Sequence, residues 1–136
     1  MDKRELVEYW TKTAESDYRT MYHLFDSEDF HWALFMGHLV IEKLLKAVFA
    51  TRSELVVLPP RSHDLLLLSE RAGLETSEGR KDLLDTITTF NISARYPDYK
   101  SLFYRKCTRA YVRERMTEIE ELRAWLLAEL APPSES

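Results

Sequence analysis

The central part of the chain contains a stretch that is hydrophobic on nearly every side of a helix. It lies within residues 28–51 and has the sequence FHWALFMGHLVIEKLLKAVFA. Such a helix must be covered by other elements, because exposed apolar surface is costly in water. The stretch therefore predicts the central helix of a bundle. A chain of 136 residues is long enough for one domain with a hydrophobic core and too short for two such domains.

Further helices are predicted from apolar residues recurring at intervals of three, four and seven. Their ranges are 3–26, a short helix at 63–72, 77–93, and about 101–130. Ser62 is the predicted cap of the short helix, and Gly73 is its predicted left-handed end. The sequence thus predicts an all-α, mostly up-and-down bundle of four to five helices over residues 1–130. A disordered tail is predicted for residues 131–136.

Composition and the start of the chain bear on the cellular compartment. The single Cys107 cannot form an internal disulfide, and the opening MDKRELVEYW does not resemble a secretory signal. No apolar run approaches the roughly 18 residues that a membrane span needs. These features predict a cytoplasmic protein that does not bind a membrane. The net charge of −4 gives no general argument for nucleic-acid binding.

Polar residues interrupt two apolar helix faces. Asp17 falls in the middle of the buried stripe of the first helix, and we expect it to have a cationic or hydrogen-bonding partner. His38, Glu42 and Lys46 follow one another at intervals of four on the central helix. These residues either line a cleft or form an ion pair on a solvated face of the helix. His38 and Glu42 with His63 make an incomplete metal-ligand set, so no metal and no cofactor is predicted.

Positive charge is concentrated between residues 95 and 115, which hold seven basic and two acidic side chains. Arg105, Arg109 and Arg113 repeat every four residues on one flank of the predicted last helix, among several tyrosines. Basic side chains neutralise phosphates and aromatic faces stack on bases, so this flank is a candidate RNA-binding face. The alternatives are a solvated helix face or a docking surface for an acidic protein.

The segment ARYPD, residues 94–98, separates two predicted helices. Proline disfavours helical dihedrals in the residue before it, so the preceding helix should be over by Tyr96. Arg95 is then expected in a short non-helical stretch from which its guanidinium reaches a groove. A guanidinium near carboxylates and an ammonium suits either a buried salt-bridge network or a pocket for a nucleotide phosphate. The candidate phosphate-binding residues are Arg95, Tyr96, Lys46, His38, Glu42 and Asp17.

Four short motifs occur together in this chain. They are AESDY at 14–18, HLVIEKLLKAVF at 38–49, HDL at 63–65 and ARYPD at 94–98. In this order and spacing the chain resembles the HEPN domain over about residues 3–128. The resemblance implies a compact four- to five-helix bundle that forms a homodimer. It also implies a small stand-alone protein that works with a minimal nucleotidyltransferase.

The resemblance also implies ribonuclease activity, but one part of that pattern is missing. Many HEPN proteins are metal-independent ribonucleases with an arginine followed, after four to six residues, by a histidine. Arg95 matches the arginine, whereas the corresponding positions hold Lys100, Ser101 and Leu102. The chain therefore departs from the nuclease pattern.

Three functions remain open at this point. The first is a nucleotide- or RNA-binding partner of a minimal nucleotidyltransferase in a toxin–antitoxin-like or stress module. The second is a ribonuclease with a variant centre that combines Arg95 with Lys100, or with a histidine from elsewhere such as His63 or His38. Lysine is a poor general base at neutral pH, which weighs against the pair of Arg95 and Lys100. The third is an interaction module that docks an acidic partner through the basic last helix.

Overall fold

The computed structural model describes residues 1–131, with side chains described for 1–96 and 101–131. This part of the chain is helical and contains no strand. Its helices are α1 (Lys3–Asp26), α2 (Phe30–Arg52), α3 (Leu65–Arg71), α4 (Glu78–Ser93), α5 (Pro97–Lys106) and α6 (Arg109–Leu130). The prediction of an all-α bundle is confirmed. The predicted tail lies outside the described residues, apart from Ala131, which follows α6.

Helix α2 lies at the centre of the bundle. It packs along α1 and α6 and also contacts α3, α4 and α5. Its apolar side chains are buried around its circumference, as Leu34, Ile41 and Leu45 show. Each fully buried side chain of this size contributes about 1.5–3 kcal/mol to folding, which accounts for the central position of the most apolar segment.

The helix ends follow local capping chemistry. Asp2 caps α1, where its carboxylate accepts a hydrogen bond from the Glu5 amide at 2.8 Å. The predicted cap at Ser62 is wrong by two residues. Asp64 caps α3, and the Ser62 hydroxyl instead accepts from the Asp64 amide at 3.1 Å. Gly73 has a φ of 72°, which confirms the left-handed position at the end of the short helix.

The predicted last helix is in fact two helices. The chain leaves helical geometry at Cys107, and Thr108 caps α6 by accepting from the Tyr111 amide. Pro97 begins α5, where the missing amide hydrogen costs nothing, so helix resumes at Pro97 and not at about residue 101 as predicted. Among the described residues, no helix is both long and apolar enough to cross a membrane.

Candidate functional site

The polar stripe of α2 is buried inside the bundle. His38 is 0% exposed, Glu42 is 5% exposed and Lys46 is 9% exposed. These residues therefore do not form a solvated ion pair. Charged groups at such depth need partners, because burial without compensation costs several kcal/mol.

Glu42 is the hub of this buried cluster. Its Oε2 accepts a hydrogen bond from Lys46 Nζ at 3.2 Å, and its Oε1 accepts from His63 Nδ1 at 2.6 Å. The Lys46 ammonium also lies over the Trp10 ring, 5.3 Å from its centroid. We call Glu42, Lys46, His38 and His63 the Glu42 cluster. It joins the central helix to the residue that precedes the cap of α3.

His38 fixes the backbone at His63. Its Nε2 lies 3.0 Å from the His63 carbonyl oxygen, and a carbonyl only accepts, so Nε2 carries the proton. The other ring nitrogen, Nδ1, is buried and has no hydrogen-bond partner among the described residues. Burial lowers the pKa of His38, and the positive charge of Arg95 acts in the same direction. His38 is therefore held neutral and acts as a positioning group.

The lowered pKa of His38 makes stability depend on pH. The unfolded chain binds a proton at His38 more readily, so the free energy of unfolding should fall as pH drops below about 6.5. A single group of this kind changes the free energy of unfolding by at most about 1.4 kcal/mol per pH unit. Urea unfolding of wild type and His38→Gln between pH 5 and 7.5 should show a smaller slope in the variant. His23→Gln, at an exposed position on α1, should keep the wild-type slope; equal slopes for wild type and His38→Gln would contradict the expectation.

Arg95 lies in the three-residue connection between α4 and α5, as the proline rule predicts. Its Nε donates to the Asn91 carbonyl at 2.9 Å, and its guanidinium lies over the rings of Phe35 and Tyr96, at 5.8 and 5.5 Å from their centroids. The side chain is exposed. Among the described side chains, no carboxylate pairs with it. Because Phe35 is one turn before His38, the guanidinium lies at one end of the Glu42 cluster.

Asp17 is placed differently from the expectation. Its carboxylate pairs with Lys43 Nζ at 2.5 Å, which confirms the expected cationic partner. Lys43 follows Glu42 directly and therefore points to a different side of α2. The contacts of Asp17 thus join α1 to α2 and do not extend to the Glu42 cluster or to Arg95. The prediction that all six candidate residues line one groove is therefore wrong for Asp17.

The predicted basic flank is not continuous. Arg105 belongs to α5, whereas Arg109 and Arg113 belong to α6, beyond the break at Cys107. Arg109 pairs with Glu28 at 2.7 Å, and Arg113 pairs with Glu120 at 3.5 Å. Two of the three arginines are thus engaged in ion pairs within the chain. The side chain of the other candidate, Lys100, lies outside the described residues.

His63 is a functional candidate whose partner the sequence does not reveal. Its contact with Glu42 joins positions 21 residues apart, and no local pattern predicts it. The signal in the sequence is the HDL motif ahead of a helix, together with an acidic residue inside an apolar segment. Among the described residues, no group of three or more His, Cys, Asp or Glu side chains converges as a metal site would require.

The described part of the chain is thus a small all-α bundle with an apolar core, whose buried central helix carries a polar cluster on one side. The model of the HEPN domain matches residues 7–130, and the chain belongs to the HEPN family. A solved structure with a similar fold is the crystal structure of TT1696 from Thermus thermophilus, with a TM-score of 0.75 and 20% sequence identity. The match covers 90% of this chain and 97% of that chain. A search of curated proteins gave no match.

Proposed function

We propose that this HEPN protein binds the phosphate of a nucleotide or of RNA at Arg95. One observation carries the proposal: the guanidinium is exposed and anchored by a backbone carbonyl and two aromatic rings, and no described carboxylate neutralises it. A planar guanidinium held in this way suits bidentate contact with phosphate. Tyr96 offers its half-exposed ring beside the ligand. Phe35, one turn before His38 on α2, places the guanidinium at one end of the Glu42 cluster.

Removing the Arg95 guanidinium should weaken ligand binding without unfolding the bundle. Arg95→Ala is expected to lower affinity for ATP or a labelled single-stranded RNA by about 10- to 100-fold, because a charge-assisted hydrogen bond is lost. Fluorescence titration at fixed salt measures the affinity, and far-UV circular dichroism measures the helicity.

The matched control for this variant is Arg80→Ala. Arg80 on α4 also lies over an aromatic ring, that of Trp125 at 4.4 Å, and is exposed. Its loss should leave ligand affinity within about twofold of wild type, because a distant charge acts weakly through salt solution. Equal losses in the two variants would contradict a site at Arg95. Loss of helicity in Arg95→Ala would assign the residue to the scaffold instead.

We further propose that the protein acts in the cytoplasm as a homodimer, with a minimal nucleotidyltransferase, in a toxin–antitoxin-like or stress module. Membership of the HEPN family supports this proposal. Co-expression with a nucleotidyltransferase encoded next to it, followed by co-purification and light scattering, tests both the partner and the dimer.

A second candidate function is metal-independent RNA cleavage, and the Glu42–His63 contact favours it. A carboxylate that accepts from one imidazole nitrogen orients the other for proton transfer. The His63 side chain is 59% exposed, which leaves the ring accessible to a substrate. An assay with varied RNAs in chelator separates the candidates: cleavage that is lost in His63→Ala supports the enzyme, and absence of cleavage removes it.

A further inference from the structure

Four consecutive apolar side chains lie exposed between α2 and α3. They are those of Leu55, Val56, Val57 and Leu58, and each is between 46% and 75% exposed. Single exposed apolar residues are ordinary on protein surfaces, whereas an uninterrupted run of this length lowers solubility and indicates a contact surface. We call residues 55–58 the apolar segment.

The apolar segment is held at both ends. Before it, the Ser53 amide donates to the Phe49 carbonyl at 3.1 Å, and the Ser53 carbonyl accepts from Lys3 Nζ at 2.7 Å. After it, Pro59 is buried, and its ring fixes the backbone angle φ. Among the described residues, no hydrogen bond involves a backbone group of the segment itself. The segment is therefore fixed in place with its side chains and backbone groups open to a partner.

A groove lies next to the apolar segment. Its volume is about 610 Å³, and its wall is mostly apolar, with Val7 of α1 and Leu130 of α6 among the lining residues. Lys3 and Arg4, at the start of α1, also line it. Because Lys3 is bonded to Ser53, the groove and the segment belong to one face of the molecule. We call this recess the α1 groove.

A second copy of this chain fits this face, because the apolar segment and the α1 groove complement each other. In a two-fold dimer the segment of each copy can lie in the groove of the other, so that every contact is made twice. The charges favour the same arrangement: Glu54 precedes the segment, and Arg4 lines the groove. Both side chains are exposed, and neither forms an ion pair with a described residue. Exchange of the segments brings these opposite charges together.

We propose that this face is the homodimer interface, in which the apolar segment of each copy packs in the α1 groove of the other. The inference rests on the homodimer proposed above and assigns a surface to it. Thr51 lines the groove and Phe35 contacts Arg95. These two residues of α2 are about 24 Å apart along the helix axis. Arg95 therefore lies away from the interface and stays open to a ligand.

Light scattering after size-exclusion chromatography of the full chain tests the surface. Wild type at micromolar concentration should have twice the mass of one chain. Leu58→Asp should raise the dissociation constant of the dimer about 100-fold, because it places an unpaired carboxylate in an apolar contact. Leu102→Asp is the matched control: Leu102 is an equally exposed leucine on α5, and this variant should remain a dimer. Far-UV circular dichroism should show wild-type helicity in both variants.

Two charge reversals test whether the contact joins two copies. Arg4→Glu and Glu54→Arg should each weaken the homodimer about tenfold, because each places like charges opposite one another in both contacts. An equimolar mixture of the two variants should form a heterodimer about as tightly as wild type dimerises, since both contacts then join opposite charges. Native mass spectrometry of the mixture, with one variant isotopically labelled, measures the heterodimer.

The outcomes separate the surface from the homodimer on which it rests. If wild type is a monomer, both proposals fail. If wild type and Leu58→Asp are both dimers, or if Leu102→Asp alone dissociates, this surface is refuted and a homodimer through another face stands. Absence of the heterodimer in the mixture also refutes the exchange of segments, and it decides the question if Leu58→Asp loses helicity. Arg95→Ala should remain a dimer, whatever its effect on ligand binding.

Discussion

Replacing Glu42 with leucine is expected to lower the free energy of unfolding by about 3–5 kcal/mol, because it breaks a buried ion pair from one side. Lys46, which is buried, would lose its carboxylate partner, and His63 would lose its hydrogen-bond acceptor. Leucine is similar in volume to glutamate, so the loss comes from charge and hydrogen bonding rather than from a cavity. Urea unfolding followed by circular dichroism measures the change.

Two comparison variants make the Glu42 result specific. Glu42→Leu combined with Lys46→Leu removes both charges and should recover most of the loss, since hydrophobic replacement of a whole buried pair is often neutral or better. Glu8→Leu breaks a pair on α1 with Lys12 whose side chains are 55% and 76% exposed, and it should cost less than about 1 kcal/mol. A Glu42→Leu loss as small as that of Glu8→Leu would show that the cluster does not stabilise the fold.

Helix positions are the most predictable part of this structure. The apolar pattern predicts the first helix at 3–26, and α1 is Lys3–Asp26; it predicts another at 77–93, and α4 is Glu78–Ser93. Both have a one-sided apolar stripe and a clear break at each end. In such segments burial and local capping favour the same boundaries, so the pattern alone is sufficient.

The break between α5 and α6 shows where this agreement fails. The apolar periodicity continues from Phe103 through Tyr111 and Val112, and it predicts one helix. Thr108 caps α6, but threonine also occurs inside helices, so its presence does not locate a boundary. Phe103 packs on Phe90 with ring centroids 5.6 Å apart, and both are buried. Tertiary contacts of this kind are absent from the local sequence pattern.

The site is predictable in its components but not in its pairing. The stripe on α2 and the non-helical position of Arg95 follow from spacing and from the proline rule. The partner of Asp17 does not, because Lys43 and Lys46 are both basic and lie on different sides of one helix. The rotation of α1 against α2 decides between them, and it depends on packing of the whole bundle. The same holds for the contact of Arg95 with Phe35.

Gly37 permits close packing of α2 against α6. A Cβ atom added at Gly37 would lie 2.5 Å from Ile119 Cδ1 and 3.2 Å from Met21 Sδ. Both neighbours are fully buried, so neither side chain has free space into which to move. Real Cβ atoms essentially never come so close to another heavy atom, and interiors packed at crystal density transmit such an overlap to the backbone.

Gly37→Val should therefore destabilise the protein by about 3 kcal/mol, through overpacking at the contact of α1, α2 and α6. Chemical denaturation measures the loss. Gly79→Val is the matched control, because nothing lies within 4 Å of a Cβ added there, and its stability should stay within about 0.5 kcal/mol of wild type. A similar loss in both variants would point to an effect of valine on helices rather than to the contact with Ile119.

A double-mutant cycle locates the overlap at one atom. Ile119→Val deletes Cδ1, the atom nearest the added Cβ, and should cost about 1 kcal/mol by itself. Gly37→Ala should be clearly less destabilising in the Ile119→Val background than in wild type, with a coupling of about 1 kcal/mol or more. Additive losses would mean that α2 and α6 move apart to accept the methyl group. The close approach of these helices would then not be what requires glycine at position 37.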